Sequence, residues 1–445
     1  MKHYKMVRIA GLHYDAPKVA LYKNHPGLDL QPYTQQQKAL FQMGAVYSES
    51  FSRGMRALGH DAYEIVYDLE IMQKTWAKEN GIKYDPARWQ YDIILAQIEQ
   101  IRPDVVYFQD IHSLPYAIRK NLKREFPFIK LIVVHKGYPG ALNELNEVDV
   151  LLAGIPDMVK QYKEAGLNPY LLYHSFDDAI LEKIAANGDD KSDRKYDFTF
   201  VGSSGLGYGL GHQARYWTLV ELIQRSNLEC WVDERVKKAS RFKIPLSPQE
   251  AKHKIRQFMK EFLWHTDLEA ISKVLPSALI PQKGRRFILE VIEQKREALE
   301  RSQREGTKDK ARLPIKPLRE MFPHRCRAPL FGLDMYKLLR QSKVTFNRHT
   351  DAAGDSVGNM RMFQATGVGT CLLTDSGTNM SDLFEEEKEV VTYSSIDECI
   401  EKVNYLLEHE DVRRQIAAAG QRRTLKDHTT LNRCQQVDEI LQKML

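Results

Sequence analysis

The chain has 445 residues, 43% of them apolar and 28% charged, a composition that excludes general disorder. That length exceeds one ordinary hydrophobic core and suits two α/β domains. A net charge of +6 is mild; it favours anionic ligands only weakly and argues against a nucleic-acid binder.

Five scattered cysteines, Cys230, Cys326, Cys371, Cys399 and Cys434, include no CxxC pair. That pattern fits a reducing compartment rather than a disulfide framework or a structural zinc site. The basic N-terminus MKHYKMVRIAG has no apolar stretch of signal-peptide length, and no apolar run is long enough to span a bilayer. The expected location is the cytoplasm, with any membrane contact peripheral, at the inner face.

The first half alternates short apolar runs with helical patterns, as βαβ units do. Met6–Ala10 reads as the first strand, and Gly11 to Pro32 as a loop. Thr34 and Gln37 have the spacing of a capping box that opens a helix toward Leu58, ended by Gly59. Further strands are expected at Ala62–Val66, Asp104–Phe108, Leu131–Val134, Val148–Ala153 and Tyr170–Tyr173, with a helix over Arg88–Ile101. The polar stretch from Leu181 to Lys195 reads as a linker between a first domain, 1–190, and a second, 195–445.

Alternation restarts with strands at Tyr196–Val201 and Leu228–Val232. Residues 234–329 break the rhythm and read as a basic helical insertion, with a cap at Ser247, Pro248 and Glu250 and an amphipathic helix over Phe287–Arg304. A helix at Leu333–Arg340 and strands at Lys343–Asn347, Gly369–Thr374 and Glu389–Tyr393 follow. Ser395 and Glu398 cap the first of three closing helices, 396–445.

In parallel sheets, ligands bind beyond the carboxyl ends of the strands. In the first domain these ends carry His13, Asp110, His112, His135 and His174. Asp110 and His112 share one loop and suit a carboxylate–imidazole couple that takes a proton from an acceptor hydroxyl, with His13 and His135 competing for the role. Lys136 suits an acceptor carboxylate or phosphate. In the second domain the ends carry glycines and cations.

The run FVGSSGLGYGLG, Phe200 to Gly211, lets a backbone approach an anion closely where a helix begins. It is not a Walker A loop, and no acidic residue closes the strand read at Leu228–Val232, as a dinucleotide fingerprint would require. A merely flexible loop is the plainer alternative. The stronger feature is NMRMFQATGVGTCLLTD, Asn359 to Asp375. Arg361 falls in the first turn of a short helix and Gln364 one turn along. A guanidinium and a helix N-terminus can neutralise a departing diphosphate without a metal. A structural ion pair is the competing use of that arginine. No DxD motif is present. Asp351 and Asp355, like Asp189, Asp190 and Asp193, read as solvated loop carboxylates, so no metal site is expected.

Leu333 to Leu445 resembles the C-terminal domain of the CgeB-like (spore-maturation) glycosyltransferases of the GT-B group. The motifs are GLDMYKLLRQSKVTFNRH, NMRMFQATGVGTCLLTD, SDLFEEEKEVVTY and AAAGQRRTLKDHT. Looser similarity covers YDFTFVGSSG, YTQQQKALFQMGAVYSESF, IRPDVVYFQD and the Phe176–Asp177 pair. The resemblance implies two Rossmann-like domains facing across a cleft, a nucleotide-diphosphate sugar as donor, and no cofactor. It places donor contacts at Gly202, Ser203 and the adjoining Ser204, and at Arg361, with Asn347, His349, Asn359, Thr366 and Gly367 nearby. Relatives carry a glutamate where this chain has Gln364, whose single carbonyl can accept from one ribose hydroxyl only. The expected partners are the donor and a glycan, lipid-linked or protein acceptor, with no nucleic acid. The alternatives are a GT-B-like nucleotide-sugar epimerase or hydrolase, or a non-catalytic binding protein.

Overall fold

The computed structural model describes residues 2–45, 49–137, 142, 144–186, 194–207, 212–235 and 316–445. Two six-stranded sheets, every pairing parallel, account for the described strands that pair in sheets. The first contains β1 (Lys5–Ala10), β2 (Asp61–Val66), β3 (Val105–Phe108), β4 (Leu131–His135), β5 (Val150–Ala153) and β6 (Pro169–Leu171), in the order β2-β1-β3-β4-β5-β6. The second contains β7 (Tyr196–Ser203), β8 (Glu229–Asp233), β9 (Cys326–Arg327), β10 (Ser342–Asn347), β11 (Cys371–Asp375) and β12 (Val391–Tyr393), in the order β12-β11-β10-β7-β8-β9. The strands are short runs of β-branched and aromatic residues buried on both faces, such as the fully buried VVYF of β3 and LIVVH of β4, as parallel sheets covered by helices require.

Both sheets are wound in two directions from their first strand. The chain leaves β1 toward β2 on one side, then returns to place β3 on the other; β7 stands in the same relation to β8 and β10. Each reversal opens a crevice at the carboxyl ends of the two central strands, the standard ligand position in such sheets. The two crevices are bounded by the ends of β1 and β3, and by the ends of β7 and β10.

The strands of both sheets lie in one compact unit, formed by Met1–Gly205, Leu210–Asp233 and Leu318–Leu445. Leu206–Gly209 and Glu234–Pro317 form the other, of which 206–207, 234–235 and 316–317 are described. The last helix, Thr430–Gln442, crosses back to the first sheet. Its Cys434, Val437 and Leu441 join a core with Met6, Met55, Val105 and Val133, while the Tyr4 hydroxyl donates to Asp438 at 2.8 Å. Among the described residues, no helix is long and apolar enough to cross a membrane.

Several expectations needed revision. The stretch from Gly11 to Pro32 holds a helix, Asp15–Asn24, and a 3-10 turn, Leu28–Leu30. That helix buries only Pro17 and Leu21 and has no side-chain cap, so its sequence carries little apolar periodicity. The Thr34–Gln37 capping box does not form. The helix begins at Tyr33 behind Pro32, whose carbonyl accepts the N–H groups of Gln35 and Gln36. Gln37 instead donates to the Tyr33 hydroxyl and to the Glu64 carbonyl. This helix ends at Gln42, and a second, Ser50–Ala57, covers the rest of the expected span.

Part of the expected linker is the helix Ala179–Ala186; 187–193 lie outside the described residues. So do the cap at Ser247–Glu250 and the helix at Phe287–Arg304. The strand read as ending at Val232 continues to Asp233, so an acidic residue does close it. The end of the 234–329 stretch returns to the sheet as β9, whose Cys326 is in register with Cys230.

Candidate active site

The first crevice is built by two tied-down loops. After β1, the N–H groups of Leu12 and His13 donate to the two oxygens of Asp68 at 2.9 and 3.0 Å, and Lys18 neutralises that carboxylate at 2.8 Å. The loop holds His13 at φ 62°, a left-handed conformation uncommon for a residue with a side chain and concentrated at functional sites. After β3, Asp110 caps a 3-10 turn by accepting the N–H of His112 at 2.9 Å, and it also accepts the Tyr67 hydroxyl. The imidazole beside Asp110 is that of His13, with Nδ1 3.6 Å from Oδ2. His112 contributes its backbone, and its side chain is exposed. Sequence adjacency suggested the Asp110–His112 couple; strand order supplies Asp110 and His13, because β1 and β3 are neighbours.

His135 ends β4, and its ring centroid lies 5.8 Å from that of His174. Burial pulls His135 down to about 4. Burial, reinforced by His135 and the nearby Arg433 charge, pulls His174 down to about 3. Both rings are therefore neutral near pH 7. Burial likewise lowers the Lys136 ammonium. With Gln109, Tyr107, Arg8 and Arg433, the two histidines line a cleft that opens to solvent. Its other wall includes Asp177, Tyr336, Met360 and Gln364.

The second crevice begins at the end of β7. Gly202 and Ser203 close the strand; the Ser203 hydroxyl accepts the N–H of Gly205, and Ser204 is buried with its N–H on the Asp233 carbonyl. Gly205 has φ 94°, and a Cβ there would meet the His212 carbonyl oxygen at 2.2 Å; the turn requires glycine. The rest of the glycine-rich run, 208–211, lies outside the described residues. Arg215, in the next helix, donates to the Arg348 carbonyl at 2.7 and 3.1 Å.

At the end of β10, His349 is locked from both sides. Nδ1 lies 2.8 Å from Asp375, and Nε2 accepts the N–H groups of Gly358 and Asn359 at 2.9 and 3.2 Å. This fixes the ring with its proton on Nδ1. It holds the start of the helix Met360–Gly367, which Asn359 caps by accepting the Met362 N–H. Asn347 accepts from the Asn359 amide and donates to Thr374. Thr366 is buried against Thr424, and Gly367 lies under the Phe176 ring. His349, Asn347, Thr366 and Gly367 thus position the helix, while Arg361 and Gln364 extend from it.

Arg361 donates to the Met335 sulfur, and among the described residues no carboxylate pairs with it. Burial pulls its pKa down to about 10, Tyr336 and Tyr14 oppose the shift, and Arg215 adds to it. A partly buried guanidinium facing two tyrosines and a second arginine lacks its counter-charge. A structural ion pair, the competing use of Arg361, is not what this geometry contains. Gln364 is buried and donates to the Tyr336 hydroxyl at 3.3 Å. Arg215 and Tyr336 were missed in the sequence because nothing in their spacing marks them; the topology brings them in.

Residues 285–439 match the model of a glycosyl transferase-like family. No curated protein matches the chain. Among solved structures, Anabaena HepE in complex with UDP-glucose matches with TM-score 0.52 and 10% identity, over 99% of this chain and 100% of that one. HepE with UDP and glucose gives TM-score 0.51 at 10% identity over the same shares. The fold is GT-B. In GT-B terms, the first crevice belongs to the N-terminal lobe and the second to the C-terminal lobe.

Proposed function

We propose that the protein transfers a sugar from a nucleotide-diphosphate donor to a hydroxyl acceptor, without a metal, as a CgeB-like member of the GT-B glycosyltransferases. The 1–190 lobe takes the acceptor and the 195–445 lobe the donor. The observation that carries this reading is Arg361, a partly buried cation without a carboxylate partner among the described residues, at the start of a helix that borders the β7–β10 crevice. HepE, whose crystals hold UDP-glucose, supports a nucleotide sugar as the ligand class.

In this reading, the bond between the anomeric carbon and the diphosphate oxygen breaks, and the negative charge released is met by Arg361 and Arg215. The acceptor oxygen bonds to the anomeric carbon. Its proton passes to His13, which Asp110 orients and whose cationic form Asp110 stabilises. Gly202, Ser203 and Ser204 bring backbone close to the diphosphate. His135 and His174, both neutral, offer hydrogen bonds to hydroxyls without adding charge.

A thermal-shift panel of nucleoside diphosphates and their sugars tests the reading, because a ligand bound only by the folded state raises the melting temperature. A selective rise with one nucleotide supports it, and silence across the panel contradicts it. Donor consumption without any acceptor would favour an epimerase or hydrolase.

A further inference from the structure

One side of the cleft carries hydrogen-bond donors that the protein leaves unspent. Gln109 and His135 follow Phe108 and Val134, which pair across β3 and β4, so they stand side by side at the strand ends, about 4.8 Å apart. Their side chains fall on the face of Tyr107 and Val133, the face on which the last helix packs. His174 joins them, its ring centroid 5.8 Å from that of His135. The Gln109 carbonyl oxygen accepts the Tyr107 hydroxyl at 2.9 Å, which leaves its amide N–H groups free to donate. Among the described residues neither imidazole has a hydrogen-bond partner, and the ring nitrogens are open to the cleft. With both nitrogens open, each neutral ring offers one N–H in either tautomer.

Charge decides what those donors receive. Arg433 lines the same cleft and is 4% exposed. Its Nε donates to the Tyr173 and His174 carbonyls at 2.9 and 3.2 Å. Its two terminal nitrogens donate to the Asp427 carbonyl at 3.2 Å and to His428 Nδ1 at 2.8 Å, which leaves one N–H on each of them. Carbonyls and a neutral ring carry no net charge to balance the guanidinium. Asp427, whose charge Arg433 feels, is paired with Arg423 at 2.9 Å. The other lining charges cancel in pairs, Arg8 with Glu64 at 2.8 Å and Asp177 with Arg53 at 2.6 Å. The cleft thus keeps one buried, unbalanced positive charge beside a group of unspent donors, and a buried charge without a partner is costly. A hydroxyl would satisfy a donor and leave the charge; an anion satisfies both.

We infer that the acceptor carries a carboxylate or phosphate group, received by Gln109, His135, His174 and Arg433. The inference rests on the reading of the 1–190 lobe as the acceptor side. Three of the four residues belong to that lobe, and the fourth sits on the helix that crosses back to it.

The test is calorimetric titration of the full chain, at physiological ionic strength so that exposed charges are screened. The probes are the methyl glycosides of glucose, galactose and mannose, each with its uronate and its 6-phosphate counterpart; UDP, GDP, ADP and CDP are titrated alongside. At least one anionic member should bind about 10- to 100-fold tighter than its neutral counterpart, the scale of a hydrogen bond to a charged group. The uronate and phosphate arms tell a carboxylate site from a phosphate site. His174→Phe removes a ring that has no hydrogen bond to lose and keeps the backbone carbonyl that Arg433 holds. It should melt with the wild type and lose about tenfold of the preference for the anion. Arg433→Gln should abolish that preference; should it fail to fold, His135→Phe and His174→Phe carry the test. A wild type without preference for any anionic member overturns the inference, as do folded His135→Phe and His174→Phe proteins that keep the full preference. In both cases nucleotide binding itself stands. A wild type that binds no nucleotide overturns the transferase reading and, with it, the assignment of the anion to an acceptor.

Discussion

His349 Nδ1 lies 2.8 Å from Asp375, and its other nitrogen holds the backbone at the head of the helix that carries Arg361. Burial alone would push the Asp375 carboxyl up; the hydrogen bonds from the His349 ring and backbone, with the nearby Arg348 charge, outweigh it and hold the carboxyl below its ordinary range. His349→Ala leaves that half-buried carboxylate without its ring partner and frees the Gly358 and Asn359 N–H groups. The expected loss is about 1–3 kcal/mol of stability, measured by urea denaturation, together with weaker nucleotide binding. Unchanged stability would show that the pair holds nothing in place.

Gly367→Ala tests the crossing between the lobes. The added methyl group would meet the Phe176 ring at 2.4 Å, with Phe176 fully buried. Overpacking of this kind costs about 1–3 kcal/mol. The denaturation midpoint should fall by that measure, while Gly59→Ala, with open space around it, should show only the smaller cost of a positive φ.

The proton acceptor is tested by separating chemistry from binding. His13→Ala should lower kcat by about 10²- to 10⁴-fold and leave nucleotide affinity unchanged. His112→Ala, which alters an exposed ring and leaves the backbone contact to Asp110, should cost little. Equal effects at both positions would contradict the assignment.

Three histidines predict a pH dependence of stability. Burial holds His135 and His428 at about 4 and His174 at about 3 in the folded chain. The unfolded chain binds protons at these rings from about pH 6.5. Below that pH the unfolded state holds more protons, so stability is fully present above about 6.5 and is lost as pH falls toward 4 and then 3. Each ring contributes a slope of at most about 1.4 kcal/mol per pH unit. Urea midpoints at pH 7.5, 6 and 5 should decline in that order, and His428→Phe should flatten the trend. Constant midpoints would contradict the neutral buried rings.

The fold was largely legible because parallel strands buried on both faces are short apolar runs. The expected strands of the first sheet were found within two residues of their ends. What the sequence hid was of two kinds. The helix Asp15–Asn24 buries too few residues to leave a periodic pattern. The pairing of His13 with Asp110 depends on strand order, which is non-local. The Asn359–Asp375 motif did contain a helix, Met360–Gly367, where a short one was expected. It could not distinguish Arg361, which has no carboxylate partner among the described residues, from Thr366 and Gly367, which are packed against Thr424 and Phe176.

The central claim is that Arg361 is the counter-charge of a nucleotide diphosphate. Titration of wild type and Arg361→Ala with the nucleoside diphosphate that gives the largest thermal shift tests it directly. The variant should stay folded, since it loses no ion pair, while its affinity falls at least about tenfold, the scale of a charge-assisted hydrogen bond. A variant that binds the nucleotide as tightly as wild type would contradict it.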